Sequence, residues 1–412
     1  MNLTKEQQEI YDGKQGATLA KVMQTLVRYG ELFGADGMVP VTSKYNHLVT
    51  SFGLKALAPV YELMNQLIES GNVSKQKFSA DPRPLDPNVP SSFLQDFVFK
   101  NFMYSKQDDY EKQLTQLGIM EKDAYTCTCY MDEVGNTPAM GEVLSWSESS
   151  AVVYANSVLG ARCNRNSGII DLMGSVVGYV PRFGLLTDEG RKATWIVKIE
   201  TTKKPEAQLL GSAIGMKVMA DVPYIVGLDK WLGGELDDAA KTYLKDFGAA
   251  TASNGAVGLY HVENITPEAV KYGKDLITED AKVYVVDDAE LQRVYESYPV
   301  IWKKKDAKPK LCFMGCPHMS LQQLIDWTEK VSQSLKEAGR ARVCIPTVFT
   351  AAPAVLKKFQ ETPYAETLKA TGVITSYICP LMYMNNPQRE DAGHHIQQQA
   401  AYLYQRKILY RC

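Results

Sequence analysis

The chain has 412 residues, enough for about two to four domains and for a hydrophobic core that needs no disulfide support. Its 45 basic and 47 acidic residues give a formal net charge of −2, so it lacks the basic excess typical of proteins that bind nucleic acid. Hydrophobic residues make up 45% of the sequence and charged residues 22%, a composition that excludes an intrinsically disordered protein.

Neither a membrane span nor a secretory signal is predicted. The sequence has no apolar run of about 18 residues, the length that a transmembrane helix needs. The segment from Met1 to Glu6 lacks the apolar stretch of a signal peptide. Eight cysteines in 412 residues are too sparse for a disulfide scaffold. We therefore expect a cytoplasmic protein with no membrane partner, whose thiols pack in the core, bind a metal or take part in chemistry.

The first predicted domain, residues 1–190, mixes helices and strands. Apolar residues recur near helical spacing from Gly16 to Gly34 and from Leu54 to Glu69, and Gly37–Val41 is a predicted strand. Four prolines mark Asp81–Ser92 as a loop. A further strand is predicted over Ala124–Tyr130.

The second predicted domain, residues 191–302, alternates short apolar strands with helical stretches. The strands are predicted over Trp195–Val197, Ala256–Tyr260 and Val283–Val286. Such alternation is typical of an α/β domain. The basic run Lys303–Lys310 that follows is interpreted as a solvated linker.

The third predicted domain, residues 303–412, has the clearest pattern. Strands are predicted over Leu311–Met314, Arg342–Ile345 and Val373–Tyr377, with one helix from Ser320 to Ala338 and another ending near Phe359. Strand–helix–strand units of these lengths form parallel strands joined by right-handed crossovers. The predicted fold class is therefore α/β, a multi-domain three-layer α/β/α protein with mainly parallel sheets.

Three of the eight cysteines fall where a ligand site is expected. Cys316 follows the first predicted strand of the third domain, Cys379 follows the third strand, and a proline comes directly after each. Cys127 lies near the end of the predicted strand Ala124–Tyr130. Open α/β sheets bind ligands beyond the carboxyl ends of their strands. Three such thiols could bind three irons of an iron–sulfur cluster, or they could be buried as small apolar residues.

Other cysteines are given structural interpretations. Cys312 and Cys344 are predicted to lie in the core within strands, and Cys412 is predicted to be a free terminal thiol. The absence of a Cys-x-x-Cys pair argues against a zinc ribbon.

The segment from Gly141 to Arg165 mixes small residues with many hydrogen-bonding side chains. It is either a polar helix face with capping serines or a surface that faces substrate. Arg162 and Arg165, three residues apart on a predicted helix, would share one face and could hold a carboxylate or phosphate. The alternative is that both are ordinary surface charges.

Histidines and missing motifs narrow the possibilities further. His47, His261 and His318 could be satisfied core residues or site residues, while His394 and His395 are predicted to be solvated. The sequence has no phosphate-binding P-loop, no dinucleotide fingerprint after a strand, no zinc-protease motif and no nucleophile elbow. These absences argue against nucleotide-dependent transferases, Rossmann dehydrogenases, zinc proteases and α/β-hydrolases.

Several motifs together resemble the large subunit of the aconitase X family, over about residues 5 to 385. They are Ser147–Ala151 (SESSA), Tyr154–Arg162 (YANSVLGAR), Asn164-Arg165, His261, Thr266–Ala269 (TPEA) and Gly315–His318 (GCPH). The resemblance implies an aconitase-like fold and an iron–sulfur-dependent hydro-lyase, with a [4Fe-4S] or [2Fe-2S] cluster. It also implies a small swivelling domain, which in this case is expected as a separate small subunit.

The same resemblance implies roles for individual residues. The expected cluster ligands are Cys127, Cys316 and Cys379. The expected catalytic residues are Ser149, Arg162, Arg165 and His318, and the expected substrate-binding residues are His47, Asn156, Ser157, Asn164 and His261.

The sequence departs from the family pattern at three places. Cys129 stands where a proline is usual, Cys163 replaces a threonine, and the Gly184–Thr187 stretch lacks a usual histidine. The missing histidine leaves the substrate open, and Cys129 or Cys344 could replace a proposed ligand.

The predicted function is dehydration of a small hydroxy acid, with cis-3-hydroxy-L-proline as the first choice of substrate. The alternatives are the large subunit of a mevalonate 5-phosphate dehydratase, or a non-catalytic binding or regulatory subunit on the same scaffold. Arg162 and Arg165 would hold the substrate's anionic group, and the general base would come from the small subunit.

Overall fold

The structure is a computed structural model that describes residues 1–121, 123–298 and 311–384. The predicted linker Lys303–Lys310, the two C-terminal histidines and Cys412 lie outside the described residues. Within the described part, no helix is long and apolar enough to cross a membrane.

The strands form four small sheets, three of which are wholly parallel. In chain order the strands are β1 (Met38–Pro40), β2 (Tyr45–Leu48), β3 (Lys77–Ala80), β4 (Tyr179–Pro181), β5 (Ala193–Ile199), β6 (Pro223–Val226), β7 (His261–Val262), β8 (Ile277–Val286), β9 (Cys312–Met319), β10 (Thr347–Ala351) and β11 (Ile374–Ser376). Only β1 and β4 pair in antiparallel fashion among these strands. The predicted fold class, α/β with mainly parallel sheets, is confirmed.

Helices cover these sheets and contribute most of the core. The α-helices are α1 (Lys5–Tyr11), α2 (Ala17–Leu32), α3 (Ala58–Glu69), α4 (Phe93–Val98), α5 (Gln107–Leu117), α6 (Ser149–Ser157), α7 (Gly168–Val177), α8 (Ala207–Val218), α9 (Asp229–Leu232), α10 (Asp238–Asn254), α11 (Pro267–Tyr272), α12 (Asp288–Ser297), α13 (Leu321–Glu337), α14 (Pro353–Gln360), α15 (Pro363–Ala370) and α16 (Pro380–Met384).

The amino-terminal core forms where α1, α2, α3, α5 and α7 pack around the parallel pair β2–β3. Met23, Leu26, Met64 and Leu172 are completely buried there. This burial follows from the helical spacing of the apolar residues, because each helix presents one apolar stripe to the same centre.

The four-stranded sheet has the order β7-β6-β5-β8, and α8, α10 and α12 supply side chains to its core. Helices α8 and α10 approach each other closely because Gly211 lies in the contact: a Cβ there would come within 2.4 Å of the Phe247 carbonyl oxygen. Helix α6 from the first predicted domain also packs into this core, through Ala151 and Ala155. The segment that carries the polar motif is therefore held rigidly against the second sheet.

The third sheet has the order β11-β10-β9, with α13, α14 and α15 packed around its core. All three strands run parallel, as predicted from the strand–helix–strand pattern.

Three predicted strands are wrong in position. Residues 124–130 form a loop with one isolated bridge, between Ala80 and Tyr125. Residues 256–260 form no strand, and the strand begins at His261. The middle strand of the third sheet begins at Thr347, which leaves Cys344 in an exposed loop and not in the core. In the first two cases the apolar residues are buried, and burial does not by itself require ladder hydrogen bonds.

Candidate functional site

A cavity of about 300 Å³ brings the three predicted ligand cysteines together. Cys127, Cys316 and Cys379 come from segments far apart in the chain, yet all three line this one space. The rest of the wall is formed mainly by Asp81, Glu148, Ser149, Ser150, Gln208, Asp246, Ser253, Pro317 and Leu381. The site is thus built where all three predicted domains meet.

Local structure explains why each thiol faces the cavity. Cys316 follows Gly315, whose φ of +112° favours glycine. Any side chain at position 315 would also clash, because its Cβ would lie 2.3 Å from the Thr350 carbonyl oxygen. Cys379 lies immediately before α16, and its backbone N–H donates to the Arg83 carbonyl oxygen at 3.0 Å. Cys127 lies in the loop that follows the Ala80–Tyr125 bridge.

The donor set suits an iron–sulfur cluster. All three thiols are partly exposed, and the backbone N–H of His318 donates to Cys127 Sγ at 3.4 Å, a contact of the kind that supports a cluster thiolate. Burial raises the pKa values of Cys127 and Cys379, so in the metal-free protein both are neutral thiols. No three His, Cys, Asp or Glu side chains in the described ranges have the geometry for a single metal ion.

Cys129 and Cys344, the two possible replacement ligands, do not line the cavity. Cys129 is completely buried and does not line the cavity; it is a neighbour of His47. Cys344 is exposed and also lies outside the cavity wall.

His47 lies behind the cavity wall and contacts one of its carboxylates. Its Nε2 is 3.4 Å from Asp81 Oδ1, and its Nδ1 lies 2.9 Å from Ser79 Oγ. Burial raises the pKa of Asp81 to about 7, although His47 partly opposes this shift. Burial lowers the pKa of His47, but the neighbouring Cys129 and Asp81 outweigh it and raise the value to about 10. The imidazole therefore stays protonated beside a carboxylate that changes charge near neutral pH.

Glu148 lines the same cavity but its carboxylate is engaged by its own helix. It is the N-cap residue of α6, and its side chain accepts from the backbone N–H of Ser150 at 3.0 Å and from the Ser150 hydroxyl at 2.7 Å. Its φ of +101° is unusual for a residue with a side chain. Ser149 opens the helix, is exposed and faces the cavity, as expected for a site residue.

The two arginines do not share a helix face, so that prediction is wrong. Helix α6 ends at Ser157, and Gly160 with φ +71° turns the chain into an extended segment that carries both residues. Arg162 pairs with Asp188 outside the cavity wall. Arg165 is exposed and donates to the Ala256 carbonyl oxygen.

Four predicted substrate-binding residues lie away from the cavity and are engaged in structural hydrogen bonds. Asn156 donates to the carbonyl oxygens of Cys163 and Gly258 at 2.8 and 2.9 Å. Ser157 accepts from the Tyr260 N–H at 2.9 Å, and Asn164 donates to the Phe183 carbonyl oxygen at 3.0 Å. His261 bonds to the Arg191 carbonyl oxygen at 2.8 Å, and burial lowers its pKa to about 4. The structure places none of these four side chains in the cavity wall.

Arg191 and Glu268 form a buried ion pair beside these residues, which the sequence did not predict. Arg191 is 1% exposed and its Nε donates to Glu268 at 2.8 Å, while another guanidinium nitrogen donates to Asn156 Oδ1 at 3.0 Å. The only sequence signal was the motif Thr266–Ala269, which is one of the motifs that carry the family resemblance.

We expect Arg191→Met to lower the free energy of unfolding by about 3–5 kcal/mol, because Glu268 would be left as an uncompensated buried charge. Arg182→Met is the matched control, since its pair with Asp36 is half exposed and contributes about 0–1 kcal/mol. Urea unfolding measures both. Equal effects of the two substitutions would contradict the assignment.

Asp81, Glu148 and Asp246 are the cavity carboxylates that the sequence interpretation missed. Asp81 had a usable signal: it directly follows the parallel strand β3, at the edge where α/β sheets place ligands. Asp246 lies inside α10, where nothing in the local sequence marks it.

Comparison with known proteins adds to this geometry. Family models for the aconitase X first domain and the aconitase X second domain match residues 1–189 and 193–296. The phosphomevalonate dehydratase large subunit of Thermococcus kodakarensis is 32% identical over 90% of this chain and 86% of that protein. The cis-3-hydroxy-L-proline dehydratase of Hypocrea jecorina is 27% identical over 79% of this chain and 52% of that protein.

A solved structure agrees over nearly the whole length. The crystal structure of aconitase X from Thermococcus kodakaraensis, in its holo-form, superimposes with a TM-score of 0.75 at 28% sequence identity. The match covers 99% of this chain and 96% of that one.

Proposed function

This chain belongs to the aconitase X family, whose named relatives are dehydratases, and from that premise we propose that it is the large subunit of an iron–sulfur hydro-lyase acting on mevalonate 5-phosphate. The observation that carries the proposal is the convergence of Cys127, Cys316 and Cys379 on one cavity. A solvated or core role for three separate thiols would not require that they line the same space.

The relatives support the phosphorylated substrate over the amino acid, which reverses the first choice made from the sequence. Those named for phosphomevalonate match at 32% and 30% identity over 90% and 82% of this chain. Those named for cis-3-hydroxy-L-proline match at 27% identity over 79% of this chain, and at 33% identity over only 37% of it.

Three thiolates would hold the cluster, and a bound iron–sulfur cluster with an open iron supplies Lewis-acid assistance to the departure of a hydroxyl group. The thiols that would hold it are Cys127, Cys316 and Cys379. The cavity of about 300 Å³ is at the lower end of the range for small-molecule sites, so the chain's own wall residues contact whatever is bound there.

Asp81 is the group in this chain best placed to take the proton from substrate carbon. Its side chain is 10% exposed and borders the cavity, and its Oδ1 lies 3.4 Å from the Nε2 of the buried His47, which orients the carboxylate. Glu148 is engaged by α6, and Asp246 pairs with Lys245 at 2.7 Å. The carbon proton would move to Asp81, the C–H electron pair would form the double bond, and the hydroxyl would leave as hydroxide with the C–O electron pair. The hydroxide would become water by taking a proton from solvent, and Asp81 would return its own proton to solvent.

Other residues would orient the substrate. Ser149 presents its hydroxyl to the cavity at the start of α6, where a carboxylate could accept its hydrogen bond. Arg165 is exposed and electrostatically coupled to Glu148, so it remains a candidate for the anionic end of the substrate. The relatives are named large subunits, and we propose that a separate small subunit completes the site.

The substrate proposal is tested by assaying the anaerobically prepared two-subunit complex with mevalonate 5-phosphate and with cis-3-hydroxy-L-proline. We expect kcat/KM to favour the phosphorylated acid by at least about 100-fold, because a site built to bind a charged group strongly rejects an analogue that lacks it. A preference for the amino acid would restore the first choice. Protein that stays free of iron and sulfide after reconstitution would overturn the cluster.

A further inference from the structure

His318 is buried close to the three thiols but does not line their cavity. Its side chain is fully enclosed, and it lies two residues after Cys316 on β9. It therefore cannot touch a molecule in the cavity directly, and its role has to be read from its contacts.

The imidazole connects the loops that carry the other two thiols. Nε2 lies 3.1 Å from the carbonyl oxygen of Ile378, the residue before Cys379. Nδ1 lies 3.0 Å from Oγ1 of Thr126, the residue before Cys127. A carbonyl oxygen only accepts, so Nε2 carries the hydrogen and Nδ1 accepts from the threonine hydroxyl.

The backbone of the same residue makes two further contacts. Its N–H donates to Cys127 Sγ at 3.4 Å, and its carbonyl oxygen accepts from the buried Lys245 Nζ at 3.1 Å. Lys245 in turn pairs with Asp246, which lines the cavity. His318 thus lies on the same strand as Cys316, contacts the segments that carry Cys127 and Cys379, and is linked through Lys245 to Asp246 in the cavity wall.

We propose that His318 is a positioning residue that sets the spacing and orientation of the three thiols for the iron–sulfur cluster. The inference rests on the proposed cluster and deepens it, because it assigns the geometry of the site to one side chain. Two hydrogen bonds made by one rigid ring, one donated and one accepted, set the distance between the Thr126 and Ile378 loops.

An ordinary buried histidine would stabilise the fold without affecting the cluster, and the chain offers a matched example. His261 is also buried, and it also bonds to a backbone carbonyl oxygen, that of Arg191. It lies on β7, away from the cavity wall. A comparison of the two histidines therefore separates cluster positioning from general stabilisation.

The test compares His318→Gln, Thr126→Val and His261→Gln with the wild type, each reconstituted anaerobically as the holoprotein. Iron affinity, the electron paramagnetic resonance spectrum and the midpoint potential of the cluster are measured, with thermal unfolding as the check on folding. Thr126→Val removes the threonine link to His318, together with the bonds of that hydroxyl to Thr128, but keeps the imidazole and its bond to Ile378. It therefore keeps the test decisive if His318→Gln does not fold.

We expect His318→Gln to weaken iron binding by about 10- to 100-fold, as is typical when a residue that supports a ligand is lost, and to change the cluster spectrum. Thr126→Val should change iron affinity and the cluster spectrum in the same direction and by less, and His261→Gln should leave iron affinity and the spectrum unchanged. Wild-type spectra and iron affinity in folded His318 and Thr126 variants would overturn the positioning role alone. A wild-type protein that binds no iron would overturn the cluster and, with it, this inference.

Discussion

Cys316→Ser is expected to remove the iron–sulfur cluster and to lower kcat/KM by more than about 100-fold. The serine hydroxyl is harder and far less acidic than a thiol, so it is a poor ligand for iron in such a cluster. Residues that only support a ligand cost about 10- to 100-fold when lost, and loss of the ligand itself should exceed that range. Among the described residues that line the cavity, the cysteines are Cys127, Cys316 and Cys379. All three are proposed ligands, so the cavity wall holds no further described thiol that could replace Cys316.

The measurement is iron and sulfide content per chain, together with dehydration activity of the two-subunit complex. Cys344→Ser is the matched control, because that thiol is exposed and outside the cavity. It should leave both quantities unchanged. A Cys316→Ser protein with full iron content and full activity would exclude Cys316 as a ligand. Intact small-molecule binding without iron in the wild type would instead favour the non-catalytic binding protein.

Asp81→Asn is expected to lower kcat by about 10²- to 10⁴-fold, the usual contribution of general acid–base catalysis. Asparagine has nearly the same shape but cannot accept a proton from carbon. The cluster spectrum should change little, because Asp81 is not a proposed cluster ligand. The binding of substrate should also change little, because the substitution preserves the volume of the side chain. The expected signature is therefore a large fall in kcat with a small change in KM.

Asp188→Asn controls for loss of a carboxylate elsewhere, since Asp188 is 88% exposed and pairs with Arg162 outside the cavity wall. It should retain activity within a few-fold. His47→Gln tests the support of Asp81, and it should lower kcat by less than Asp81→Asn does. If Asp81→Asn retains nearly full activity while iron content is normal, the proton acceptor lies elsewhere, and the small subunit becomes the place to look.

Local sequence patterns were sufficient for most of the fold. Helices α2, α3 and α13 follow directly from apolar spacing, and the parallel third sheet follows from the lengths of its strand–helix units. The position of Cys379 after β11 was also predictable, because the carboxyl ends of parallel strands meet at one edge. Cys316 lies inside β9 and not after it, because this strand continues to Met319, beyond its predicted end. The family resemblance then pointed to Cys127 as the third thiol.

Several site assignments could not be made in this way, because they depend on residues far apart in the chain. The resemblance marked His318 and His261 alike as site residues, yet one bridges two thiol loops and the other bonds to Arg191 beside the second sheet. Asn156 and Arg191 are 35 positions apart in the sequence, yet the Arg191 guanidinium donates a hydrogen bond to the Asn156 side chain. A polar motif in the sequence does not reveal whether its partners are substrate atoms or the protein's own backbone.

By itself, the sequence determined a near-neutral α/β protein with parallel sheets and three thiols in positions suited to a cluster. Only the tertiary structure decided that those thiols share one cavity, that Cys129 stays behind its wall beside His47, and that Asp81 reaches the cavity beside the same histidine. The physical reason is that periodicity and turn chemistry act over a few residues. A site is made by side chains that are hundreds of residues apart, and their meeting is fixed by how the helices and sheets pack.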